Sequence, residues 1–267
     1  MNGFVLRIIA MLTMLIDHIG WNFLDNPIVF TWIGRIAFPV YAFLLAEGFL
    51  IISKDKTRFI KQVSFLLMLT ILSEPGFDLL EFRLDYAHFM ESQSNMITLI
   101  LGFLGMSITE LLLPRETTTE DKPQKTRIIA LLITYLLIGI ANYKMDSNFN
   151  IVGPWLVIAF YWYMRKAKQD KEYKWKWGKR FAFLLAIFTC YLTLYFWVRS
   201  GFGNAEMWWQ EVVNYSPWIA GHALAAIILS FSNGKLGYHE KWFKKLYVYF
   251  YPIHMLVIGI TCVVLGR

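Results

Sequence analysis

Nine stretches of this chain are apolar for most or all of a membrane crossing, which takes about 20 residues in a helix. They cover 5–23, 28–52, 59–73, 96–113, 128–142, 152–164, 181–199, 217–231 and 246–265. Those at 128–142, 152–164 and 217–231 are short for a full span, and one of them is open to a re-entrant reading. A bilayer core offers no water to backbone N–H and C=O groups, so apolar runs in such density read as spanning helices. The reading is an all-α polytopic integral membrane protein of about nine transmembrane helices, a single unit over residues 1–267, with no soluble domain and no visible repeat. Composition agrees: 57% of the 267 residues are hydrophobic and 18% aromatic, against roughly 45–50% apolar in soluble chains. Disorder is excluded on the same ground.

Charge sets the expected direction. The loops following the second, fourth, sixth and eighth runs are basic, at 54–61, 115–127, 165–180 and 235–245. The intervening loops carry Asp25, Glu74, Asp78, Glu81, Asp85, Glu91, Asp146, Glu206 and Glu211, with only Arg83, Lys144 and Arg199 for cations. The positive-inside rule then predicts an N-terminus inside and a C-terminus outside, in the cytoplasmic (inner) membrane of the cell. The first run has a weak basic lead and carries Asp17 and His18, so it reads as a retained helix and not a cleaved signal. The excess of 26 Lys and Arg over 19 Asp and Glu lies between apolar runs; it suits anionic lipid as partner, and no nucleic-acid fold accompanies it.

Ionisable side chains inside the runs are the candidate functional groups, because a charge at membrane depth costs several kcal/mol unless it faces the interior with a partner. They are Asp17, His18, Arg35, Glu47 and His254. From helix rise, Asp17 and His18 lie about 8 Å inside one end of the first helix, and Arg35 about 10 Å inside the same end of the second. A short loop at Asn26 and Pro27 makes the two helices antiparallel neighbours, so the three can meet. Asp17 either orients His18 or holds Arg35. His18 has the chemistry of a general base, and the alternative is a histidine bonded between helices. Arg35 suits a developing oxyanion or a phosphate, or balances Asp17.

Five residues join the site as substrate ligands or as ordinary structure. Glu74 and Asp78 open the acidic outer loop; Pro75 and Gly76 favour a helix break between them, leaving both on a loop. Asn95 is a natural N-cap for the fourth run. Glu47 and His254 line a deeper polar route or form an interhelical pair. Cys190 and Cys262 sit in apolar runs, and His88, His222 and His239 lack ligand spacing, so no disulfide and no metal is expected.

Residues 9–20 (IAMLTMLIDHIG), 33–39 (IGRIAFP) with 44–49 (LLAEGF), 72–78 (LSEPGFD), and 251–257 (YPIHMLV) after Ser232-Asn233-Gly234-Lys235 resemble the TraX family, in order and from end to end. TraX proteins are implicated in N-terminal acetylation of F-type pilin, a process of conjugation. They are similar in plan to larger membrane acyltransferases that draw on cytoplasmic acetyl-CoA. The resemblance implies an acetyltransferase with no bound cofactor, taking acetyl-CoA as donor substrate. Its acceptor would be an amine or hydroxyl on an extracytoplasmic protein or glycan. His18 would be the base, Asp17 its orienter and Arg35 the electrostatic stabiliser, by direct transfer or through an acetyl-histidine. A transporter, for which an internal repeat is expected, and a non-catalytic assembly factor are the rival classes.

Overall fold

A computed structural model describes all residues except 25–27, 86, 88–90, 115–124, 148, 170–176, 201–204, 215 and 267. The Asn26–Pro27 link and the centre of the 165–180 basic loop lie outside the described residues. Those described form eleven α-helices and no strand: α1 (Gly3–Phe23), α2 (Ile28–Gly34), α3 (Ala37–Ile52), α4 (Lys56–Phe82), α5 (Asn95–Leu112), α6 (Lys125–Lys144), α7 (Gly153–Gln169), α8 (Trp177–Arg199), α9 (Ala205–Asn214), α10 (Ser216–Ser230) and α11 (Lys241–Leu265). Seven stretches are long and apolar enough to cross a membrane: α1, α2 with α3, α4, α5, α6, α8 and α11. The molecule is a multi-pass helical membrane protein.

Each predicted run coincides with a helix, but three local expectations are corrected. The 28–52 run is not one helix; it breaks at Arg35 and Ile36. Pro39 has no N–H to give the carbonyl of Arg35, four residues back, and Ile36 instead makes a tighter bond to Ile33 (3.2 Å). Pro75 does the opposite of what was expected: α4 runs through it to Phe82. In a bilayer, leaving the helix strands several backbone groups, whereas continuing strands one. Gly76 stays helical because α11 uses its bare backbone. Finally, Asn95 is the first residue of α5 and not its cap; Ser94 holds the cap position. The short helix α9 had no counterpart among the apolar runs.

Two glycines set the spacing of α4 and α11. A Cβ on Gly76 would stand 3.0 Å from the amide of Leu256, and one on Gly259 would stand 3.1 Å from the backbone of Leu79 and Leu80. Small residues of this kind let spanning helices pack backbone to backbone. Gly259→Leu is therefore expected to cost about 1–3 kcal/mol by overpacking. The cost reads out as a fall of several degrees in the melting temperature of detergent-solubilised protein. An unchanged melting temperature would contradict the close approach.

Basic and acidic ends separate in space. At one end the amino terminus bonds the carbonyl of Phe231, Gly3 bonds Lys235 (2.7 Å), Arg180 bonds Ser232 (2.7 Å) and Arg165 bonds Pro114 (3.2 Å). At the other, Arg83 bonds Asn22 (2.6 Å), Ser92 bonds the carbonyl of Asp146 (2.8 Å) and Arg199 pairs with Glu211 (2.6 Å).

Candidate functional site

The break between α2 and α3 fixes the first half of the site. Arg35, released from regular helix, reaches Asp17 on α1 with Nη2 3.5 Å from Oδ2. Its guanidinium also lies over the indole of Trp218 on α10, 4.3 Å from the ring centroid. The approach of three helices here depends on glycine. A Cβ on Gly34 would collide with the carboxyl of Asp17, and one on Gly221 would stand 2.6 Å from the Cβ of Arg35. Arg35 Nε and Asp17 Oδ1 are buried and have no hydrogen-bond partner among the described residues. The pair thus keeps one donor and one acceptor in reserve.

A histidine pair forms the second half. His18 Nδ1 lies 2.8 Å from His254 Nε2, with the ring planes 7° from parallel. His254 Nδ1 lies 2.7 Å from the carbonyl oxygen of Phe250. A carbonyl can only accept, so His254 carries its proton on Nδ1. In the neutral ring Nε2 is then an acceptor, and His18 must donate to it from Nδ1. The remaining nitrogen, Nε2 of His18, is left with an open lone pair. An imidazolium charge buried beside the Arg35 guanidinium would have no counter-ion of its own, which favours this neutral arrangement. Asn22, one turn further along α1, bonds the backbone beside the pair. It donates to the carbonyl of His18 (2.7 Å) and accepts from Arg83 (2.6 Å).

Of the two partners open to Asp17, the structure shows Arg35, and the side chain bonded to His18 is His254. His254 does not pair with Glu47 but stands level with His18. Counting helix rise from the common basic end, His18 is about 22 Å and His254 about 20 Å along their helices. The coincidence was hidden because α11 begins at Lys241, five residues before its apolar run at 246.

Both halves open on one cavity of about 480 Å³. Asp17, His18, Arg35 and Asn95 line it at one end, Arg7 and Lys244 at the other, and Met14, Leu44, Phe65, Leu69 and Phe103 belong to its walls. Ten residues of α1 separate Arg7 from Asp17, about 15 Å along the axis. Glu47, Glu74, Asp78 and His254 do not line it. Glu74 instead caps α5 from outside: its carboxylate accepts from the Ser94 amide (3.2 Å) and hydroxyl (2.6 Å). Asp78 is buried one turn further along α4. Glu47 lies toward the basic end, 3.8 Å from where a Cβ on Gly234 would stand. Among the described residues no three His, Cys, Asp or Glu side chains converge as a metal site.

Trp218, Gly34, Gly221 and Asn22 were not singled out from sequence. Trp218 carries no signal, since its contact joins positions 35 and 218. Gly34, immediately before Arg35, could have been found from the Gly-Arg pair.

Chemically, the site offers an unprotonated imidazole nitrogen, a guanidinium held by a carboxylate, and a cavity long enough to bring a substrate from the basic end. A family model described as TraX protein matches residues 2–262. No curated protein and no solved structure matches the chain.

Proposed function

The chain belongs to the TraX family, and from that premise and the histidine pair we propose that it is a membrane-embedded acetyltransferase. It moves the acetyl group of cytoplasmic acetyl-CoA to an amine or hydroxyl on an extracytoplasmic acceptor, a pilin-like N-terminus or a surface glycan. The observation that carries the reading is His18, with Nδ1 committed to His254 and its other nitrogen left for the cavity beside Arg35.

The step follows from those groups. The acceptor's nitrogen or oxygen attacks the thioester carbonyl while His18 Nε2 takes its proton. His254 stabilises the imidazolium by accepting from Nδ1, the part a carboxylate plays in a Ser-His-Asp triad. Arg35 faces the carbonyl oxygen as it becomes an oxyanion, its direction fixed by Asp17 and Trp218. Collapse expels the coenzyme A thiolate, which recovers the proton from His18. Asn95, at the same end, with its side-chain oxygen buried and unpartnered among the described residues, is placed to bind the acceptor. Glu74 shapes that end through Ser94 at the start of α5.

Nine crossings, counting α7 and α10, with the basic end in the cytoplasm, the N-terminus inside and the C-terminus outside, complete the reading in the cytoplasmic membrane. Cysteines introduced one at a time test the orientation. One at Lys179 is expected to resist impermeant maleimide in intact cells, and one at Asp85 to react; the reverse pattern would contradict it. Purified protein in proteoliposomes, given labelled acetyl-CoA, tests the activity. Slow release of coenzyme A thiol, speeded by a peptide or glycan acceptor, is expected, and no release would contradict it.

A further inference from the structure

The far end of the cavity has no part in the chemistry above, yet its charge is one-sided. Six acidic, basic or histidine side chains (Arg7, Asp17, His18, Arg35, His239 and Lys244) line the cavity among the described residues, and the single carboxylate, Asp17, is at the histidine end. At the basic mouth stand Arg7 on α1 and Lys244 on α11, with His239 and Gln62 nearby. Both cations stand about 15 Å from the histidine pair. Arg7 is ten residues from Asp17 on one helix, and Lys244 is ten residues from His254 on the other. Arg7 is also held in place: its guanidinium lies over the ring of Tyr247, 5.4 Å from the centroid, and Tyr41 stacks on Tyr247 at 5.7 Å with planes 22° apart. A stacked guanidinium keeps its fork of donors free for a phosphate.

Gly48, next to Glu47 near the basic end of α3, forms part of the same wall. A Cβ there would meet nothing within 4 Å, so its missing side chain leaves open cavity where other glycines of this fold leave room for a neighbouring helix. Glycine is a poor helix former, and here its effect is to keep the bore wide.

We propose that this mouth is a phosphate-binding site for the acyl donor, in which Arg7 and Lys244 hold the anionic head of a coenzyme A thioester while Gly48 leaves passage for its arm. The inference rests on the acetyltransferase reading and names the donor subsite that reading requires. A lipid headgroup carries the same phosphate chemistry, and the test separates the two sources.

Binding of a non-transferable acetyl-CoA thioether is measured to the full chain in nanodiscs of phosphatidylcholine, with and without phosphatidylglycerol. Arg7→Gln and Lys244→Gln are each expected to weaken binding about tenfold, the loss of one charge-assisted contact. Added phosphatidylglycerol should leave the affinities unchanged. Gly48→Phe should reduce the affinity of the thioether to that of adenosine 3′,5′-bisphosphate, the head without the arm, while binding of that head stays as in the parent protein. Thioether binding that is indifferent to both charge changes would overturn the donor site and leave the acetyltransferase reading standing. Competition by phosphatidylglycerol would assign the mouth to lipid and overturn it likewise. If the parent protein binds no thioether at all, the coenzyme A donor and this site fall together.

Discussion

His18→Gln is expected to lower acetyl transfer by about 10²–10⁴-fold, the range a positioned general base contributes. Glutamine keeps a polar side chain at the position and can bond His254, but it has no lone pair able to take a proton from the acceptor. The loss should appear in the maximal rate, with thioether binding at the basic mouth unchanged. His254→Gln separates position from proton transfer. It leaves His18 in place and withdraws the acceptor that keeps the proton on Nδ1. An intermediate loss of roughly 10–10²-fold is expected, as for groups that orient a base without touching substrate. His254→Gln leaves the buried carbonyl of Phe250 short of a partner, at about 1–3 kcal/mol. Rates must therefore be compared in samples matched for folded protein by size-exclusion. Parent-like rates in both variants would remove His18 from the reaction.

Arg35→Ala is expected to lower transfer by about 10²–10³-fold, the loss on removing one oxyanion donor. It also strands Asp17, only 8% exposed, without its counter-charge. Breaking a buried pair on one side costs about 3–5 kcal/mol, so the single variant confounds stability with catalysis. The double variant Asp17→Asn, Arg35→Gln resolves them. With both charges gone, thermal stability should return to near the parent value while transfer stays low. Arg35→Lys should not restore the rate, because an ammonium lacks the planar fork that bridges Asp17 and lies on Trp218. Recovery of the rate along with the stability in the double variant would make the pair purely structural.

Much of the fold lay open to reading because lipid allows so few solutions. Apolar runs announce helices, and the alternation of lysine and arginine between loops matches the segregation seen around Phe231, Ser232 and Lys235 at one end and Arg83 and Glu211 at the other. Asp17 and Arg35 could be joined from sequence because they belong to consecutive helices sharing a loop, so that rise alone equates their depths. His254 could not, since the polar first turn of α11 conceals where that helix begins. Pro39 and Pro75 show the same limit from the other side. One coincides with a break that frees Arg35 and the other sits in a continuous helix, and a proline in the sequence reads the same in both cases. Helix α9 leaves no spanning signal, because its ten residues are interrupted by Glu206, Gln210 and Glu211. Glu74, a plausible acceptor ligand from its place in the chain, is occupied by Ser94 twenty residues on.

The position of two protons is the point on which the chemistry turns. Solid-state ¹⁵N NMR on histidine-labelled protein in bilayers reads it directly, with the signals of the pair assigned by their loss in His18→Gln and His254→Gln. Both rings are predicted to be neutral with the proton on Nδ1, leaving His18 Nε2 bare at the head of the cavity. A His18 ring protonated on Nε2, or charged on both nitrogens at neutral pH, would leave the site without its base and contradict the proposed reaction.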